Sequence, residues 1–189
     1  MKSIDQFVEG LCRLSEPDFG LERVTAYLAE NPVAPESLRP YLLYTPTHYT
    51  RNLIYKCDLF ELMVVCWEVG QFSRIHNHQG QSCWMAVPIG RLAVQNYELV
   101  RLDPKSNYCE LREANRVIMD PQHPSCVEPG MPIHSVLNLA EYGQRAASLH
   151  VYSHPYDHCL VYSLESNSYC DVPLFYDSEY GRPTPQTLG

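Results

Sequence analysis

Gly70-Gln71-Phe72-Ser73-Arg74-Ile75-His76-Asn77-His78-Gln79-Gly80-Gln81-Ser82-Cys83-Trp84-Met85-Ala86-Val87-Pro88-Ile89-Gly90 is the stretch on which the reading of the fold depends. Two histidines stand one residue apart between two glycines, and an apolar run follows Cys83. Alternate side chains of a strand share a face, so His76 and His78 on a strand would project together into an interior. Such a pair needs a third ligand from a facing strand to hold a metal ion. His134 is the best-placed candidate, because it opens the run Ser135-Val136-Leu137-Asn138-Leu139 directly after a Pro129-Gly130-Met131-Pro132 turn. Two histidines at this spacing often bind nothing, so the surroundings have to decide.

Outward from that stretch the chain reads as short β-rich runs: Leu59–Glu68, Cys83–Pro88, Arg91–Arg101, Val117–Met119, His134–Leu139 and Ala146–Tyr152. Val69-Gly70, Ile89-Gly90, Asp103-Pro104 and Asp120-Pro121 punctuate them. Residues 1–45 read differently. Phe19, Leu21, Val24, Tyr27 and Leu28 fall near a 3.6-residue spacing, and Asn31-Pro32 ends that element. The expectation is one mainly β domain over residues 1–189. It comprises a helical region (1–45), a small β-barrel or jelly roll (46–180) with the helices packed outside, and a tail (181–189). A barrel of this size holds one metal or one small ligand.

Composition narrows the function. At 189 residues, 45% apolar and 19% charged, the chain suits a single globular domain. A formal charge of −8 without any basic run argues against nucleic acid or an anionic membrane as partner. Met1–Arg13 sets Asp5 and Glu9 among Ile4, Phe7, Val8 and Leu11, the pattern of an amphipathic helix and not of an export signal, so a cytoplasmic protein is expected. No run approaches the ~18 apolar residues of a membrane span. The cysteines, at 12, 57, 66, 83, 109, 126, 159 and 170, contain no C-x-x-C pair. They read mostly as reduced, buried, small apolar side chains.

The spacing of Gly70, His76, His78, Cys83 and Gly90 resembles the first motif of the cupin superfamily, and His134 with Asn138 resembles the core of the second. Cys83 stands where cupins usually place a glutamate ligand, a departure similar to that of the cysteine dioxygenase branch. Tyr49-Thr50-Arg51-Asn52-Leu53, Cys66-Trp67, Ile75-His76-x-His78, Ser82-Cys83, His134-x-Val136-x-Asn138 and Ser148-Leu149-His150-x-Tyr152-Ser153 all look like that family's motifs. The resemblance covers Tyr49 to Gly181.

What it implies is an enzyme with one Fe(II) per chain, held by His76, His78 and His134, that converts L-cysteine and O2 to cysteine sulfinic acid. Three neutral imidazoles leave the ion more positive than a set with a carboxylate, which suits a thiolate. Arg51, beside Tyr49, would take the substrate carboxylate, since a guanidinium fork matches it in bidentate fashion. Ser148, His150 and Tyr152 would form a relay, and Cys83 and Tyr152 would become joined by a thioether bond. Trp67 would pack beside the pocket and Cys159 near its mouth. Relatives have Ser-Pro-Pro with a cis bond where this chain has Ser153-His154-Pro155. A cis bond before His154 would cost ~2.5–4 kcal/mol, so the peptide is either trans or held by packing. The family is largely monomeric, and a monomer is expected. The alternatives are a dioxygenase of another small thiol, such as 3-mercaptopropionate or homocysteine, and a non-catalytic metal-binding cupin sensor. Three histidines also suit zinc, but a bare metal scaffold needs none of Arg51, Cys83, His150 and Tyr152.

Overall fold

The computed structural model describes residues 1–121, 125–127 and 133–185, with the backbone alone for 125–127. The turn expected at residues 129–132 lies outside the described residues. Helix α1 (Ile4–Cys12) starts on a capping box, in which Ser3 Oγ accepts from the Gln6 N–H and Gln6 Oε1 accepts from the Ser3 N–H. It buries Ile4, Phe7 and Leu11. Helix α2 (Leu21–Glu30) buries Val24 and Leu28 and stops at Asn31, whose side-chain amide turns back to the Tyr27 carbonyl at 2.8 Å. A 3-10 segment (Pro35–Tyr41) follows and buries Leu38.

Among the described residues thirteen strands then form two sheets. They are β1 (Thr50–Lys56), β2 (Phe60–Trp67), β3 (Ile75–His76), β4 (Cys83–Ile89), β5 (Leu92–Asp103), β6 (Tyr108–Met119), β7 (Ser125–Val127), β8 (Ile133–Leu137), β9 (Ala146–Ser153), β10 (His158–Ser163), β11 (Ser168–Pro173), β12 (Ser178–Glu179) and β13 (Arg182–Pro183). The first sheet runs β13-β12-β1-β2-β9-β4-β7. The second, β10-β11-β6-β5-β8-β3, closes on itself where Ile75 and His76 of β3 pair with Tyr162 and Val161 of β10. The chain is mainly β, with a closed barrel and the helices packed outside it.

The two-residue period divides the central strands. Phe60, Leu62, Val64 and Cys66 of β2 and Ala147, Leu149 and Val151 of β9 join Ile4, Phe7, Leu11, Val24 and Leu28 in one apolar core beneath the helices. Each large side chain fully buried there contributes ~1.5–3 kcal/mol. The opposite faces of the same strands, with Met63, Val65, Trp67 and Tyr152, look into the barrel with Cys83, Met85 and Val136.

Several details depart from the sequence reading. Strand β3 is two residues long, so His78 lies beyond its end. Val117–Met119 is the end of a twelve-residue strand, and the hairpin β10–β11 was not foreseen. Arg51 sits inside β1, opposite Val65 of β2. Arg182–Pro183 pairs with Ser178–Glu179, which carries the first sheet into the segment read as a tail. Cys12 and Cys170 are exposed, because they fall off the buried faces of α1 and β11, whereas Cys66, Cys83, Cys109 and Cys159 are buried. Gly90 has φ +76°, and a Cβ there would lie 2.4 Å from the Arg145 carbonyl oxygen, so the β4–β5 turn admits only glycine. Among the described residues no helix is long and apolar enough to cross a membrane.

Candidate metal centre and pocket

His76 on β3 and His134 on β8 are direct partners across an antiparallel pair. His78 needs other support once the strand has ended. Asn77 supplies it: its N–H donates to the Leu160 carbonyl at 3.1 Å, and its Oδ1 accepts from the Leu160 N–H at 3.0 Å. That clamp to β10 turns His78 inward, where it is 1% exposed. The rings lie 5.2 Å (His76–His78), 4.8 Å (His76–His134) and 4.8 Å (His78–His134) apart by centroid. One ring nitrogen from each comes within 4.8 Å of the others.

The protonation states suit a cation. His76 Nδ1 donates to the Arg74 carbonyl at 2.8 Å, because a carbonyl can only accept, and this leaves the Nε2 lone pair open. Burial first, and the neighbouring imidazoles second, hold His78 and His134 well below the ordinary histidine pKa. Both are therefore neutral at pH 7. His78 Nε2 and His134 Nδ1 are buried and have no hydrogen-bond partner among the described residues. Orphaned, neutral imidazole nitrogens converging on one point fit a divalent metal ion, with no carboxylate in the group.

The first sheet supplies the rest. Ser148, His150 and Tyr152 alternate along β9 and face the interior. Trp67 Nε1 donates to Ser148 Oγ at 3.0 Å, Ser148 Oγ lies 2.8 Å from His150 Nε2, and His150 Nδ1 lies 3.1 Å from the Tyr152 hydroxyl. The indole can only donate, so the serine proton is free to go to His150 Nε2. His150 then carries its proton on Nδ1 and donates to Tyr152, and the phenol proton is left to point into the cavity. The reverse arrangement would leave the buried Ser148 proton without an acceptor. Burial, with His76 and Arg51 adding to it, presses the His150 pKa down to about 3, so the ring is neutral in this chain of bonds. Burial also holds the Tyr152 phenol well above its usual range, so it stays protonated. Cys83 is the register partner of Tyr152 across β4–β9, and its Sγ lies 3.9 Å from His150 Nδ1.

Arg51 enters from β1. Its Nη1 donates to the Phe175 carbonyl at 3.2 Å, and its guanidinium lies 5.5 Å from the Tyr176 ring centre. Burial disfavours its charge, but the phenols of Tyr152, Tyr156 and Tyr49 and the carboxyl of Glu61 more than offset that. Tyr49 stacks on Trp67 at 4.6 Å. A cavity of about 970 Å³ is lined by Tyr49, Arg51, Trp67, His76, His150, Tyr152, Tyr156 and Cys159, among others. His78, His134 and Cys83 lie behind this wall. No described peptide bond is cis, so Ser153–His154 is trans; His154 instead takes φ +59°, with its N–H on the Leu59 carbonyl at 2.8 Å.

Sequence reasoning left three residues unassigned here, Tyr156, Tyr176 and Glu61, which is fully buried on β2, and it did not foresee the hydrogen bond of Trp67. A signal existed for Glu61. It is a lone charge inside the apolar run Phe60–Trp67.

The model of the cysteine dioxygenase type I family matches residues 13–165. Rat cysteine dioxygenase type 1 is 28% identical over 171 residues, which cover 90% of this chain and 83% of the relative. The zebrafish protein of the same name is 22% identical over 189 residues, covering 99% and 92%. Among solved structures, a cupin superfamily protein from Desulfitobacterium hafniense is 13% identical with a TM-score of 0.44, covering 67% of this chain and 93% of that one. The family match spans four fifths of the sequence and takes in every histidine of the triad, so the chain belongs to the cysteine dioxygenase type I family.

Proposed function

We propose that this protein is an iron(II)-dependent thiol dioxygenase acting on free L-cysteine, with cysteine sulfinic acid as product. The observation that carries the reading is the placement of Arg51 on the wall of the same cavity as His76, His150 and Tyr152. A substrate whose sulfur lies at the imidazoles can extend its carboxylate to a guanidinium fork. Ferrous iron, when held by His76, His78 and His134, supplies the redox chemistry of dioxygen and favours the thiolate over the thiol.

The chain's own residues do the rest. Arg51 binds and orients the carboxylate, and because the fork stays charged it does so across the working pH range. Tyr152 offers its hydroxyl proton to the reacting end of the substrate, and His150, Ser148 and Trp67 keep that proton aimed. The walls of Trp67, Tyr49 and Val136 exclude water from the sulfur. The register pairing of Cys83 with Tyr152 across β4–β9 supports a thioether bond between them. Its formation removes one hydrogen from each residue, a two-electron oxidation for which dioxygen is the oxidant.

The test is to load the protein with iron anaerobically, add L-cysteine, admit oxygen and identify the product. Sulfinate with both oxygen atoms drawn from O2 supports the proposal; disulfide alone defeats it. The cavity volume favours one second reading. A space of about 970 Å³ exceeds what cysteine fills, so a larger thiol such as homocysteine is the competitor, and a higher kcat/KM for it would replace the substrate.

A further inference from the structure

The family match ends at residue 165, yet the chain beyond β11 forms one wall of the cavity. Phe175, Tyr176 and Asp177 all meet Arg51. The Arg51 N–H donates to Asp177 Oδ2 at 2.8 Å, the Asp177 N–H donates to the Arg51 carbonyl at 2.8 Å, and the Phe175 carbonyl receives Arg51 Nη1. The Tyr176 ring lies between two cations, with the Arg51 guanidinium at 5.5 Å and Lys56 Nζ at 5.6 Å from its centre. Its hydroxyl donates to Glu61 Oε2 at 2.5 Å and lies 3.4 Å from Lys56 Nζ. Glu61 stands on β2, opposite Tyr152 of β9 and Lys56 of β1, and is 0% exposed. It does not line the cavity and so does not itself touch a substrate.

We propose that Tyr176, held by Glu61, is a positioning residue that fixes the Arg51 guanidinium before substrate arrives, and so determines preference for thiols that carry a carboxylate. The physical need is plain. A free arginine side chain is rotamer-rich, and bidentate recognition requires its fork in one place. The aromatic face restricts it from one side and the Phe175 carbonyl from its end. Tyr176 can do this only while its own ring is pinned, and the buried Glu61 carboxylate pins it. The carboxylate's burial is offset by the Tyr176 hydroxyl and by Lys56 Nζ at 3.9 Å, and the same oxygen, Oε2, meets both.

This inference rests on the reading of Arg51 as the carboxylate ligand, and the experiment separates the two. Anaerobic titration of the iron-loaded protein with L-cysteine and with cysteamine, which lacks the carboxylate, is done for wild type, Arg51→Ala, Tyr176→Leu, Tyr176→Phe and Glu61→Gln. Tyr176→Leu is expected to raise Kd for L-cysteine by about 5- to 30-fold, the scale of a desolvated cation–π contact, and to leave cysteamine within about twofold. Tyr176→Phe and Glu61→Gln keep the ring and its neighbours, and are expected to raise it about threefold, with KM following Kd and kcat unchanged. If Arg51→Ala leaves the ratio of the two Kd values unaltered, the reading of Arg51 is wrong and this proposal goes with it. If Arg51→Ala changes the ratio but the three other variants do not, or if they weaken both ligands equally, the positioning role alone is overturned. Should Tyr176→Leu fail to fold, the two conservative variants still decide.

Discussion

The two faces of strand β9 are built by one backbone and do opposite work. Ala147, Leu149 and Val151 face the helices in a wholly apolar core. Ser148, His150 and Tyr152, interleaved with them, face the cavity in a hydrogen-bonded line that begins at Trp67. The outer face owes its stability to area removed from water and tolerates any well-fitting apolar residue. Every polar atom of the inner face needs a particular partner in a particular direction. Stability and chemistry are thus assigned to alternate residues, and substitutions on the two faces should separate them.

The widest separation is expected from the innermost residues. His134→Ala should abolish activity and bring bound metal down to background by elemental analysis while leaving a folded barrel; retained metal and turnover would sink the triad. Next, Tyr152→Phe should lower kcat by about 10²-fold, the low end for a positioned proton donor, with metal content unchanged. On the outer face, Leu149→Ala should cost about 2–5 kcal/mol, read as a fall in Tm of roughly 5–15 °C, with kcat of the surviving protein within about twofold. If Leu149→Ala damages turnover as much as Tyr152→Phe does, the division of labour is false.

A pH series sharpens the same contrast. The folded-state pKa of His150 is depressed, to about 3, whereas an unfolded histidine titrates near 6.5. The unfolded chain therefore takes up its proton first as pH falls. The stability His150 contributes is complete above about pH 6.5 and is lost progressively from there toward pH 3. Thermal unfolding between pH 7 and pH 4.5 should show Tm falling, and His150→Gln should flatten that slope; an unchanged slope would mean the ring is not buried neutral. The smallest effect is expected from Cys83→Ser. Intact mass of iron-loaded, turned-over protein should show a species two hydrogens lighter, absent from the variant, with only a modest change in kcat.

Much of this was legible in the chain, for identifiable reasons. His76, His78 and His134 carry a spacing that local reading can detect, and the runs that became β2, β4, β5, β8 and β9 alternate or bury strongly enough to declare themselves. The short β3 did not, because a two-residue strand has no periodicity of its own and the Asn77 clamp to Leu160 joins segments far apart in sequence. The bond from Trp67 to Ser148 depends on the register of β2 against β9, which no local pattern encodes. Tyr176 escaped for the same reason: its meeting with Arg51 is created by the parallel pairing of β1 with β12. The peptide before His154 is trans and the turn uses a positive φ instead, with the His154 N–H on the distant Leu59 carbonyl, a contact no local pattern encodes.

Among the described residues, β3 joins β10 through two residue pairs, Val161–His76 and Tyr162–Ile75. One of those residues is a member of the triad, and its cross-strand neighbour on the other side is His134. An ion held by the triad would thus tie β3 to β8, beside the edge where β3 meets β10. Occupancy should then be felt mechanically as well as chemically: capture of the ion draws the native state down by mass action, and loss of it should loosen the β3–β8 junction, which a single residue pair joins.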